Sequence, residues 1–362
     1  MLLCPKCGAR ASSSDERFCG FDGTPLERRP VSSPASLSSP ASAKSCPRCG
    51  APSEDGGDGY CISCGQRLGA LSSAPPSSAP PSNVPLEGDL PFEEEPAFGI
   101  AFSVHPGLRR DHSEDAAAMA SGTTRRGDPF RVLVVCDGVS SSTHAEQASQ
   151  VAARMVRDSL AQFCRTRGTA VESARQAMRE ALGEAHEAIC AQRFELGAKE
   201  PPGTTCVAAL VLRSRLIVGW VGDSRAYWLR EEGGAELLTR DHSWANERVA
   251  RGEATLEQAM RAPNAYALTR CLGPAELGEA FQPVQPDVVT RSLAGRGTVI
   301  LCTDGLSNYY PIPEQMAALI KRCGPCPTPG RLARFLIHKA LSRGGQDNVS
   351  VAVYQHRPGQ SK

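Results

Sequence analysis

Three aspartates stand at the ends of short apolar runs. Asp137 follows Val132-Leu133-Val134-Val135-Cys136, Asp304 follows Val299-Ile300-Leu301-Cys302-Thr303, and Asp347 comes just before Asn348-Val349-Ser350-Val351-Ala352-Val353-Tyr354. Runs of this length, rich in β-branched residues and bounded by glycine and polar residues, predict buried strands, so each carboxylate falls at the rim of a sheet. A hard divalent cation with oxygen ligands would justify gathering such charges. An Asp-Gly or Asp-Asn pair alone is often only a turn. Three at equivalent strand ends favour metal-dependent chemistry.

A softer metal chemistry opens the chain. Cys4-Pro5-Lys6-Cys7-Gly8 and Cys46-Pro47-Arg48-Cys49-Gly50 are each followed, after eleven intervening residues, by a second half-site: Cys19-Gly20-Phe21-Asp22 and Cys61-Ile62-Ser63-Cys64. Every ligand position shifts by 42 between the copies. Four thiolates in the second copy can close a tetrahedral zinc site; in the first, Asp22 replaces the fourth cysteine with a weaker carboxylate ligand. Both units resemble short bacterial zinc-ribbon modules, with structural zinc, one or two ions, and no open position for a substrate. Neither carries a basic-aromatic surface, so docking to protein is expected ahead of nucleic acid.

Between and after these modules, Pro30 to Lys44 and Ala70 to Glu95 are rich in Ser, Pro and Ala and lack periodicity, which reads as flexible linker. The predicted organisation is zinc ribbon 1 at 1–27, linker at 28–45, ribbon 2 at 46–68, linker at 69–97 and one large domain at 98–357. Forty basic against 39 acidic residues give a net charge of +1, so no global field selects nucleic acid, membrane or an acidic partner. No stretch has the roughly 18 uncharged apolar residues of a membrane span. The expectation is a soluble, cytoplasmic protein. Of the 15 cysteines, those outside the two modules are scattered, and Cys136, Cys206 and Cys302 sit inside apolar runs as small hydrophobes.

Within the large domain the periodicity changes type in order. Strand-like segments near 98–104 and 132–136 precede two helical patterns, one through Ala148, Val151, Ala152, Met155, Val156 and Leu160 and one through Ala174, Ala177, Met178, Ala181, Leu182, Ala185 and Ile189. Three strands follow, at 205–212, 216–221 and 225–230, spaced as antiparallel hairpin neighbours. A strand at 299–302, helices near 313–322 and 331–342, and a last strand complete the pattern. Strands grouped around paired helices predict α+β layers.

Seven ordered motifs then carry a family resemblance. Gly107-Leu108-Arg109-Arg110-Asp111-His112-Ser113-Glu114-Asp115, Val135-Cys136-Asp137-Gly138, Gly203-Thr204-Thr205, Val221-Gly222-Asp223-Ser224-Arg225-Ala226-Tyr227, Leu238-Thr239-Arg240-Asp241-His242-Ser243, Cys302-Thr303-Asp304-Gly305-Leu306 and Gln346-Asp347-Asn348-Val349 resemble the metal-dependent protein phosphatases of the PP2C or PPM type. The resemblance implies a four-layer α-β-β-α sandwich. It implies hydrolysis of phosphoserine and phosphothreonine in proteins at a binuclear Mg2+ or Mn2+ centre, where two cations hold the phosphate and activate water. Asp137 would bridge both ions; the Gly138 carbonyl and Glu114 would serve one, and Asp304 with Asp347 the other. Asp223 with Asp304 is a candidate pair for a third ion. Asp115 would orient water, and the planar fork of Arg110 would hold phosphate. Implied partners are phosphoprotein targets of serine/threonine kinases, or the kinases themselves.

Departures from the family pattern sharpen the expectations. Where the family has two glycines after Asp-Gly, this chain has Val139-Ser140-Ser141-Ser142-Thr143-His144, which puts the backbone shape of that loop in question. Val139 also stands where some members carry a histidine, with His144 and His112 as weak substitutes. Asp223-Ser224-Arg225 also fits a hairpin turn whose charges pair locally, and Asp241-His242-Ser243 reads as loop stabilisation, since adjacent side chains diverge too far for a triad. The C-x5-R spacings at Cys4–Arg10 and Cys61–Arg67 lack the strand and helix that would cradle phosphate. The alternative reading is a catalytically silent PP2C-like module that signals through its ribbons.

Overall fold

Strands buried on both faces show period-2 sorting only when their two neighbours are distinguished. In the computed structural model, Val132, Val134 and Cys136 pack beneath helices, whereas the alternating Leu133 and Val135 pack against a second sheet. This double burial is why such strands read as continuous apolar runs. The structure describes residues 2–3, 27–28, 81, 83–140, 142, 144–167, 170–196 (backbone only for 192–196), 201–273, 283–325 and 327–358.

The chain divides into two units, Met1–Lys44 and Ser45–Lys362. In the first, β1 (Leu2–Leu3) and β2 (Glu27–Arg28) pair antiparallel, Leu2 opposite Arg28. The proposed zinc ligands Cys4, Cys7, Cys19, Asp22, Cys46, Cys49, Cys61 and Cys64 lie outside the described residues.

The second unit runs β3 (Glu93–Glu95), β4 (Ile100–His105), β5 (Ala116–Thr123), β6 (Pro129–Cys136), α1 (Ala145–Thr166), α2 (Val171–Leu196), β7 (Cys206–Leu212), β8 (Arg215–Val221), β9 (Arg225–Arg230) and β10 (Ala235–Leu237). It continues with α3 (Trp244–Ala250), α4 (Leu256–Met260), β11 (Asp287–Ser292), β12 (Gly297–Cys302), α5 (Asp304–Ser307), α6 (Pro313–Lys321), α7 (Pro329–Leu341) and β13 (Val349–His356). A six-stranded sheet has the order β10-β9-β12-β13-β4-β3, and a five-stranded sheet the order β11-β8-β7-β6-β5. All pairings are antiparallel.

Three apolar layers hold these elements. Met178, Leu182 and Ile189 of α2, with Val156 and Leu160 of α1, cover the five-stranded sheet. Met316 and Leu319 of α6, with Leu332, Leu336 and Leu341 of α7, cover the six-stranded one. Between the sheets lie Val207, Val218, Trp228, Val299 and Leu301. The result is the four-layer α-β-β-α sandwich that the resemblance implied.

Two segments differ from the sequence expectation. Leu216–Val221 and Arg225–Arg230 are not hairpin neighbours: β8 belongs to the five-stranded sheet and β9 to the six-stranded one, so Gly222-Asp223-Ser224 carries the chain across the seam between sheets. Both strands are buried on both faces, and their short spacing therefore carries no sign of the crossing. The folded unit also reaches back before residue 98. Glu93–Glu95 pairs along β4, with Glu93 opposite Phe102, and Leu90 is only 3% exposed.

Candidate active site

Asp137 leaves the end of β6 with its backbone clamped from β7. Its N–H donates to Thr205 Oγ1 at 3.0 Å, and its carbonyl accepts from Thr205 N and Thr204 Oγ1, both at 2.8 Å. This is what the Gly203-Thr204-Thr205 motif does: it fixes a strand end, and with it the carboxylate. Gly138 is obligatory for space, because a Cβ there would lie 2.6 Å from the Glu114 carbonyl oxygen and 2.9 Å from that of Ala145.

The serine-rich loop that follows closes without glycine. Val139 N donates to the Gly203 carbonyl at 2.9 Å, and Ser142 Oγ donates back to the Val139 carbonyl at 2.6 Å. Among the described residues of this loop the left-handed one is His144, with φ 59°, whose carbonyl accepts from Ala148 N at 3.1 Å as α1 opens. Histidine is one of the residues that tolerates this region. Ser140 adds a contact that a glycine could not make, donating to Glu114 Oε2 at 2.9 Å.

Glu114 and Asp115 lie on the stretch between β4 and β5, and a residue from the far end of the chain holds that stretch in place. Asn348 is 3% exposed; its Oδ1 accepts from Glu114 N at 2.7 Å, and its Nδ2 donates to the carbonyls of Pro106 (2.9 Å) and His112 (3.1 Å). This positioning role was missed from sequence, where Asn348 appeared only as the residue after Asp347. Its signal was the Asp-Asn pair at the foot of a strand. Asp115 is 5% exposed and accepts from Thr303 Oγ1 at 3.0 Å through Oδ2; Oδ1 receives no hydrogen bond of normal geometry, with the Ser350 hydroxyl and the Asp137 carboxyl as polar neighbours of the group. Arg110 reaches over the same region, with Nη2 3.0 Å from Asp347 Oδ1 and Nη1 4.0 Å from Glu114 Oε2.

From the other sheet, Asp304 opens the short helix α5 and is steadied by Asn308 Nδ2 at 3.0 Å from its Oδ2. Gly305 must lack a side chain, since a Cβ would come within 1.9 Å of the Asn348 carbonyl oxygen. Asp223 rides on the crossing between sheets. Gly222 there has φ 108°, and its N–H donates to His242 Nδ1 at 3.0 Å.

The remaining motif residues brace that crossing and are not a catalytic triad. Asp241 takes both prongs of Arg225, at 2.9 and 2.7 Å, and His242 Nε2 lies 2.9 Å from Asp287 Oδ2. Ser243 accepts from Asn246 N as the cap of α3. Thus Arg225 pairs with Asp241, and Asp223 is left facing the other acids.

Five aspartates therefore meet at one end of the sandwich, and their fields are mutual. Burial, followed by the charges of Asp115, Asp304, Asp223 and Asp347, holds the Asp137 carboxyl well above its usual range. Burial and then Asp304 push Asp223 up to about 7; burial and then Asp347 push Asp304 up to about 6. Asp115 is pushed up to about 7, by burial first. Asp137 is close enough to share a hydrogen with both Asp115 and Asp304. Carboxylates in such contact need either protons or cations between them. Asp115 Oδ1, without a hydrogen bond of normal geometry, and the all-oxygen donor set fit a hard divalent ion. Among the described residues no three ligand-type side chains are placed to hold one ion together, and Arg110 holds Asp347.

Comparison with known proteins agrees with this geometry. Residues 107–349 match the family model described as protein phosphatase 2C. The serine/threonine phosphatase Stp of Listeria monocytogenes is 29% identical over 254 residues, which is 70% of this chain and 94% of that protein. The crystal structure of the Staphylococcus aureus serine/threonine phosphatase Stp1 is similar with a TM-score of 0.57 and 25% identity, covering 74% of this chain and 95% of that one. The Mycobacterium tuberculosis serine/threonine phosphatase PstP/Ppp gives a TM-score of 0.52 at 30% identity over 70% and 96% of the two chains. With two thirds of its length matched and the acids of its motifs gathered at one sheet end, this chain belongs to the protein phosphatase 2C family.

Proposed function

We propose that the protein hydrolyses phosphoserine and phosphothreonine in proteins, using two Mg2+ or Mn2+ ions held at the end of the sandwich. The observation that carries this reading is the convergence of Asp137, Asp223, Asp304 and Asp347 with Arg110 across the seam of two sheets. Asp137 would face both ions, the Gly138 carbonyl and Glu114 one of them, and Asp304 with Asp347 the other; Asp223 with Asp304 offers a third position. When bound, such ions supply charge neutralisation for the phosphate and acidify a water nucleophile.

The protein's own groups do the rest. Arg110 presents a planar fork to phosphate oxygens, which compete with Asp347 for it. Asp115, buried and with one oxygen open, accepts a proton or hydrogen bond from water at the site. Ser140 orients the Glu114 carboxylate from the loop side. The α3–α4 segment, packed on its own small cluster of Ala245, Ala259 and Ala265, is the surface that would sort phosphopeptides. The expected substrates are cytoplasmic phosphoproteins, with the ribbon modules and their zinc as docking elements. Among the described residues no helix is long and apolar enough to cross a membrane.

The test is manganese-dependent release of phosphate from a phosphothreonine peptide. Asp137→Ala and Asp304→Asn should reduce it to background, and Arg110→Ala should raise KM more than it lowers kcat. Full activity in EDTA, or none with manganese bound, would overturn the proposal.

A further inference from the structure

At the end of the sandwich opposite the aspartates, a cavity of about 420 Å3 lies between the start of β6, the end of β13 and the N-terminus of α7. Pockets for small ligands fall within roughly 300 to 1,000 Å3. Its charged lining is Arg131, Arg213 and Arg357 against a single acid, Glu94. Glu94 is already engaged, since its Oε1 accepts from Gly330 N at 3.1 Å in the first turn of α7. Arg213 is matched by Asp128 at 2.8 Å. Among the described residues neither Arg131 nor Arg357 has an ion-pair partner.

Two further features turn this surplus of charge into a built site. Arg131 is held rigidly, its Nε donating to the Phe98 carbonyl at 2.7 Å and its guanidinium lying 5.8 and 5.1 Å from the ring centres of Phe98 and Tyr354. His356 lines the cavity at 5% exposure; its Nδ1 is 3.0 Å from Tyr354 Oη, while its Nε2 makes no hydrogen bond of normal geometry, with the Leu293 backbone as a nearby polar neighbour of the ring. Burial and then the Arg131 charge keep this imidazole below its ordinary value, so it is neutral near pH 7. In the tautomer in which the Tyr354 hydroxyl donates to Nδ1, Nε2 carries the proton and is a buried donor open to an acceptor. Thr328 and Pro329 bring the N-terminus of the 13-residue α7 to the same wall, its first free N–H groups capped by Glu94 and by Thr328 Oγ1.

We propose that this cavity binds a small polyanion of phosphate type, with Arg131 and Arg357 as its charge partners and His356 Nε2–H as a hydrogen-bond donor. The inference stands apart from the metal site and from the phosphatase reading. Calorimetric titration of the whole protein in EDTA with pyrophosphate, and separately with ATP, tests it. Saturable binding is expected with both. Equal affinities identify an inorganic polyanion, and tighter ATP binding a nucleotide whose base also makes contact. The double variant Arg131→Gln/Arg357→Glu should weaken Kd by about tenfold or more, with Tm showing that it is folded; Arg357→Glu alone, with a smaller loss, is the second variant. No saturable binding, an unchanged Kd in both variants, or binding of a polyglutamate peptide without pyrophosphate would each overturn it.

Discussion

Asn348 shows how a buried residue can set the geometry of a candidate site from the foot of a strand. It ties the foot of β13 to Glu114, Pro106 and His112 through three hydrogen bonds in a buried position. Asn348→Ala leaves one N–H and two carbonyls unmatched, which should cost about 2 to 3 kcal/mol in urea unfolding. It should also weaken manganese binding by about 10- to 100-fold, the usual effect of losing a group that orients a ligand. A variant that loses stability and keeps metal affinity would assign the residue to the fold alone. The aspartates themselves predict an unusual pH response. Asp115 and Asp223 at about 7 and Asp304 at about 6 compare with an ordinary 3.8. Between about 4 and about 7, the metal-free fold holds protons that the unfolded chain has released, so its stability from these groups is full at the acid side and is lost as pH rises through the window. Bound ions replace those protons. The gap in Tm between manganese-loaded and EDTA-treated protein should therefore widen from pH 6 to pH 8, and a constant gap would contradict the raised values.

Among the elements, the passage from β8 to β9 does most to shape the site. Gly222 combines φ 108° with a virtual Cβ 2.6 Å from Thr205 Cβ, and Thr205 is the residue that clamps Asp137. Gly222→Ala is expected to cost about 1 to 3 kcal/mol and to lower manganese affinity through Thr205, both readable in one set of melts with and without the ion. This passage was not legible in the sequence: Leu216–Val221 and Arg225–Arg230 are apolar on both faces, and a three-residue gap suits a hairpin equally well. β5 was missed for another reason. Ala116–Thr123 reads Ala-Ala-Ala-Met-Ala-Ser-Gly-Thr and has little strand propensity, yet small residues are what the close approach of α1 to this edge strand requires. Glu93–Glu95 read as linker because three acids in a row carry no alternation. The gathering of Asp137, Asp304 and Asp347 was easier to read because they sit where strong apolar runs stop or start, a signal independent of which sheet each run joins. The serine loop was readable in composition but not in shape, because the burden of left-handed backbone falls on His144 and spares the serines in the described residues.

At the scale of the molecule, the large unit is a sandwich whose two ends are chemically opposite, one crowded with carboxylates and the other lined by arginines. Its N-terminal limit is testable. A chain beginning at residue 81 keeps β3 and Leu90, and should match the full protein in Tm and in phosphate release. One beginning at 98 loses both, exposes the edge of β4, and should be destabilised by about 2 kcal/mol or more, the worth of one buried leucine with its neighbours. Equal melting of the two truncations would place the limit of the unit later. The seam between the sheets has a further meaning. Asp137 and Glu114 hang from one sheet, Asp304 and Asp347 from the other, and Asp223 from the strap between them. An ion gripped by both sides, as proposed, would be a rivet through two plates: a force that shears the sheets would first have to break its bonds, and a chelator would remove the rivet without touching the apolar filling. The enzyme's cofactor and its mechanical fastener would then be the same object, and the protein should be stiffest when it is ready to work.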